Sequence, residues 1–142
     1  AVELVKDNPE KAIELLIPLS EEFDQNPLID YYLGVCYRKL GYFNKAIHFL
    51  NRSVSKESGI LEVINELGMN YASLGEFEEA LKYFKKAFEA SKEVDICTNI
   101  VMCYINLGDK EQAKLNLDIA KKLAPDDEIV IEIDQMLNRR VK

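Results

Sequence analysis

Along the chain, large apolar residues recur four positions apart over stretches of about a dozen residues, with small residues at fixed places among them. That spacing belongs to helices that bury one stripe and leave the rest in water. The stretch from Leu67 to Phe88 shows it most fully, with Leu67-Gly68 and Tyr71, then Leu74-Gly75, then Ala80, Phe84 and Ala87. The same set recurs 34 residues earlier as Leu33-Gly34, Tyr37, Leu40-Gly41, Ala46, Leu50 and Ser53. It recurs 33 residues later as Ile100-Val101, Tyr104, Leu107-Gly108, Ala113, Leu117 and Ala120. Self-similarity at such a period means stacked copies of one small unit, each unable to bury its apolar face alone.

Each copy reads as two helices. Leu67 and Tyr71, four apart, stack on one face of the first helix, and Ala80, Phe84 and Ala87 mark one face of the second. Gly75 stands just past the first helix, where a residue without Cβ closes a C-terminus in the left-handed region. Gly68 and Ala80 are small where two helices are expected to cross, and Val101 departs from that rule.

Asn8-Pro9 and Asn26-Pro27 each offer an N-cap followed by proline at the first helical position. The helix after Asn8 carries Ala12, Leu16 and Leu19 at second-helix places, so only Val2 to Lys6 is left for the first helix before it. Ala1 is therefore expected to be a point of excision within a longer array. Further helices are expected over about 27–39, 43–56, 61–73, 77–91, 94–106 and 110–123, with Asp109 and Gln112 at capping-box spacing before the last. After Pro125, Asp126-Asp127 open a closing helix to about Arg140, with Asp134 and Asn138 at the places of Leu33 and Tyr37. A polar face there suits a terminal unit, and Arg139, Arg140 and Lys142 suit a helix C-terminus. The expected units are a partial repeat 1–26, repeats 27–60, 61–93 and 94–125, and a capping helix 126–142. On the exposed face, Glu78 with Lys82 and Lys85 with Glu89 have i,i+4 pairing distance.

The run Leu-Gly-x-x-Tyr followed by Ala-x-x-x-Phe resembles the tetratricopeptide repeat, a helix–turn–helix unit of about 34 residues. The resemblance implies an all-α fold, a right-handed α-solenoid of stacked antiparallel helix pairs with a C-terminal capping helix. It also implies a scaffold that holds another protein.

Net charge is −7, which sets the chain apart from proteins that bind a nucleic-acid backbone. No apolar run reaches the roughly 18 residues of a membrane span. Cys36 and Cys103 each precede a repeat tyrosine, and with Cys97 they read as small buried apolar residues in a reducing, cytoplasmic setting. His48, the single histidine, reads as a surface residue. No nucleophile, base and orienter stand at catalytic spacing, and no phosphate loop or metal motif is visible. No cofactor, no metal and no catalysis are expected.

A second stripe on each first helix lies outside the core stripe. It comprises Leu28, Tyr31, Tyr32, Val35 and Arg38 in the first full repeat, with Lys39 beside them. In the next it comprises Glu62, Asn65, Glu66 and Met69, and in the last Asp95, Asn99, Met102 and Asn106. Relatives of this kind gather such stripes into a concave peptide-binding surface. Here it would have an aromatic end with a basic lip and an acidic, amide-rich middle, favouring an apolar partner segment with basic flanks. A branch of the family clamps chaperone C-terminal carboxylates with Lys, Asn and Arg; the matching places here hold Tyr31, Val35, Glu66, Asp95 and Asn99. Acids there would repel a carboxylate, which argues against that ligand. The expected function is a non-catalytic protein–protein interaction scaffold. The alternatives are a docking array of a larger enzyme and self-association through the N-terminal end.

Overall fold

The computed structural model describes the backbone of residues 2–141 and the side chains of residues 3–139. The expectations for Ala1, Lys142 and the Arg140 side chain lie outside what is described. Among the described residues the chain forms nine helices and no strand. These are α1 (Val2–Asp7), α2 (Pro9–Glu22), α3 (Pro27–Lys39), α4 (Phe43–Lys56), α5 (Leu61–Ser73), α6 (Phe77–Ala90), α7 (Val94–Leu107), α8 (Lys110–Leu123) and α9 (Glu128–Val141).

The ends follow local chemistry. Asn8 Oδ1 accepts from the Lys11 amide at 3.2 Å, Asn26 Oδ1 from the Leu28 amide at 2.9 Å, and Asp109 Oδ1 from the Gln112 amide at 3.1 Å. Asp127 stays outside α9 because it caps it, its Oδ1 accepting from the Ile129 and Val130 amides at 2.9 and 3.1 Å. Beyond α3, α5 and α7 stand Gly41, Gly75 and Gly108 with φ of 84°, 79° and 78°, a conformation that side chains with Cβ resist.

The described chain divides into two compact units, one ending at Gly75 and the other beginning at Glu76. In the first unit α2 packs on α3, α3 on α4 and α4 on α5, while α1 rests on α2 and α3, and α3 also reaches α5. Its core holds Ala12, Leu16, Leu33, Cys36, Ala46, Leu50, Val63 and Leu67. Asp30, in the first turn of α3, is fully buried and pairs with Lys56 of α4, while its Oδ1 faces Arg52 Nε at 3.5 Å. Ser53 donates its hydroxyl to the Pro27 carbonyl at 2.8 Å, tying the same two helices.

In the second unit α6 packs on α7, α7 on α8 and α8 on α9. Val101, at the glycine place of the other repeats, is fully buried, so the added bulk is absorbed in this core. On α9 the inward residues are Val130, Ile133 and Leu137. Asp134 is half-buried and Asn138 exposed, beside the buried stripe. Asp134 takes Lys121 at 2.8 Å on the rim and accepts from Asn138 at 3.3 Å. On α6, Lys82 pairs with Glu79 at 2.8 Å, one position nearer than the Glu78 expected of it.

Candidate interaction surface

On α3 the expected surface stripe begins with Leu28, which is 48% exposed. Tyr31 and Tyr32 are half-buried and tilted at 58° with ring centroids 5.2 Å apart. Val35 is buried and belongs to the core rather than to an accessible face. Arg38 reaches across to α5, where its Nε and Nη2 donate to Glu66 Oε2 and Oε1 at 2.6 and 3.0 Å. This is a two-pronged, charge-assisted pair, and Glu66 is itself buried.

That pair corrects the expected electrostatics. Arg38 of the basic lip and Glu66 of the acidic middle form one neutralised contact, because α3 and α5 pack closely enough for the guanidinium to meet the carboxylate. Among the described residues Glu62 has no ion pair and is exposed, so it carries the unpaired negative charge of this face. The Tyr31 hydroxyl is pushed above the ordinary phenol range first by burial, then by Glu66 and Glu62, with Arg38 opposing. It therefore stays protonated at neutral pH and can donate. Asn65 is half-buried, with Nδ2 3.8 Å from Met69 Sδ and Oδ1 without a hydrogen-bond partner. Asn70, outside the expected set, is buried and donates to the Glu66 carbonyl at 2.8 Å.

The α7 residues lie in the second unit. Asp95 and Asn106 are exposed, Asn99 is half-buried and Met102 is 38% exposed, all along one side of that helix. Asn106 Nδ2 donates to the Met102 carbonyl at 2.8 Å, the ordinary local satisfaction of an amide on a helix surface. The structure thus brings the α3 and α5 residues together, and the α7 residues form a separate stripe in their own unit.

Sequence reasoning passed over two features. One is the buried Asp30 with Lys56 and Arg52; an acid in the first turn of a helix reads as a dipole partner, and nothing local marks it as buried. The other is a hollow of about 340 Å³ between α1 and α2, lined by Leu4, Ala12, Leu15, Leu16 and Leu19.

The three cysteines are free and buried, as their spacing led us to expect. Burial raises all three thiols, Cys103 to about 11. A raised pKa keeps the reactive thiolate scarce below it. Iodoacetamide at pH 8 is expected to leave the native protein unlabelled and to label three cysteines in urea; native labelling of Cys103 would show that its burial is wrong. His48 is exposed, edge-on to Phe49 at 5.2 Å. Among the described residues no cluster of His, Cys, Asp and Glu could hold a metal, and no helix is long and apolar enough to cross a membrane.

Profiles of the tetratricopeptide repeat match residues 61–93 and, in a second version, residues 31–55 and 94–127. The chain belongs to the tetratricopeptide-repeat family. A TPR repeat-containing protein, YpiA of Bacillus subtilis (strain 168), is 26% identical over 104 residues, covering 72% of this chain. The chain spans about a quarter of that relative's length, 25%. Among solved structures, MamA 41-end from Desulfovibrio magneticus RS-1 superposes with a TM-score of 0.91 over 97% of this chain and 79% of that one, at 15% identity. YrrB, a TPR protein with an unusual peptide-binding site, gives 0.85 over 94% of this chain and 70% of that one, at 25% identity. These likenesses establish the tetratricopeptide solenoid fold class. Proteins built of such repeats serve in general as non-catalytic interaction modules.

Proposed function

We propose that this tetratricopeptide-repeat chain is a non-catalytic scaffold that binds a peptide or helical segment of another protein along the free sides of its first helices. The observation that carries this reading is the α3–α5 face. There Leu28 offers apolar area, and Tyr31 and Tyr32 apolar area with polar tips, beside Met69 and half-buried Asn65, whose Oδ1 is buried without a hydrogen-bond partner. Asn99, Met102 and Asn106 offer the same chemistry on α7. The peptide-binding site of YrrB, similar over most of this chain, supports the class of ligand. On these faces Glu62 and Asp95 have no ion pair among the described residues, so the favoured segment is apolar with basic flanks. An array docking a larger enzyme would use the same faces. Three free buried thiols suit the reducing cytoplasm.

The test pairs Asn65→Ala with Asn99→Ala. Neither side chain anchors the core, and Asn65 Oδ1 makes no bond to lose, so melting should hardly change. A partner isolated on the intact protein should bind the double variant at least about 1 kcal/mol more weakly, measured by titration calorimetry. A partner that binds both forms equally places recognition on another face.

A further inference from the structure

We propose that the outer side of α8 is a self-complementary surface on which two copies of this chain associate with their α8 helices antiparallel. Leu115, Ile119 and Leu123 are 53%, 42% and 43% exposed. Spaced four apart, they stand one above another in a stripe one helix wide. The fold has no use for it, because α8 packs on its neighbours through Ala113, Leu117 and Ala120.

The repeat itself shows that the stripe is particular to α8. Counted from the alanine shared by the second helices, the same three places hold His48, Arg52 and Lys56 in α4, and Lys82, Lys86 and Ala90 in α6. In α4 Arg52 and Lys56 turn their charged ends to Asp30 of α3 while His48 stays in water, and in α6 all three places are exposed. Only in α8, of these three helices, do large aliphatic side chains fill all three.

Charge decides the occupant. Along one flank of the stripe run Asp118 and Lys122, both exposed and without an ion pair among the described residues. In an antiparallel pair centred on Ile119, Leu115 meets Leu123 of the second copy. Asp118 then falls within about one helical turn of Lys122 of that copy, twice over by symmetry. A two-fold parallel pair would put this flank of the two copies on opposite sides of the seam and make neither contact. A membrane surface fits poorly, since the chain carries −7 overall and anionic lipids would repel it. One helix per copy is small for an interface, so the association is weak and reversible.

Sedimentation velocity on the full chain, from about 10 µM to about 1 mM, is the test for an interface of this size. The weight-average sedimentation coefficient should climb with concentration in the parent and stay flat in Ile119→Lys, whose melting temperature should match the parent because the side chain is exposed. Asp118→Lys and Lys122→Asp should each weaken association about two- to threefold, and the double exchange should restore it. A flat parent profile overturns the proposal. So does association that survives Ile119→Lys, or that is lost instead on Leu15→Lys in the α1–α2 hollow. Failure of the double exchange to restore association overturns the antiparallel arrangement.

Discussion

Asp30→Ala is expected to destabilise the chain by about 3–5 kcal/mol, the range for removing one partner of a buried ion pair. Asp30 is fully buried, and Lys56, its partner, is itself largely shielded, with 12% of its side chain exposed. Without the carboxylate, the Lys56 ammonium either stays buried without an anion or swings out and abandons its packing at the end of α4. Arg52 loses less, because 41% of its side chain is exposed and water can take over. Asp30→Asn keeps the shape and removes the charge, so it should cost nearly as much as alanine. Combining Asp30→Ala with Lys56→Met should cost clearly less than the two single changes added, since the second removes the stranded charge. Urea unfolding of the parent and the four variants gives these values. Additive penalties would mean that Asp30 and Lys56 contribute independently to the packing of α3 on α4.

How much of this was legible before the structure follows from what a period can encode. The recurrence of Leu-Gly-x-x-Tyr and Ala-x-x-x-Phe sets helix type, helix ends and the inward stripe, because each depends on residues a few positions apart. Gly41, Gly75 and Gly108 could be placed for the same reason. Contacts between helices were a different matter. Arg38 and Glu66 both sat in the expected surface stripe, yet 28 residues separate them and no periodic rule says which turn of α3 meets which turn of α5. Their pairing turned an expected charge gradient into a neutral contact. The α8 stripe was readable in principle, by comparing outer positions across copies rather than inner ones. The inner positions alone drew attention because they define the repeat.

The close approach of α3 to α4 leads to the second large effect. A Cβ at Gly34 would stand 2.6 Å from Leu50 Cγ and 2.7 Å from Leu50 Cδ2, with the Ala46 carbonyl oxygen at 3.4 Å. Leu50 is fully buried, so it has no room to withdraw without disturbing its own neighbours. Overpacking of this kind costs about 1–3 kcal/mol. Alanine's better helix propensity returns up to about 1 kcal/mol, so Gly34→Ala is expected to lose about 1–2 kcal/mol net. Gly34→Leu, with three more carbons to place at the same crossing, should exceed about 3 kcal/mol. Glu78→Ala, on the exposed side of α6, is the control and should stay within about 0.5 kcal/mol of the parent. The decisive background is Leu50→Ala, which alone should cost about 2–5 kcal/mol through the cavity it opens. There the new methyl group meets empty space instead of Leu50, the propensity term is left unopposed, and Gly34→Ala should change sign and stabilise. Urea midpoints for Gly34→Ala with and without Leu50→Ala read this directly. An equal penalty in both backgrounds would show that glycine is required at this place for a reason other than its contact with Leu50.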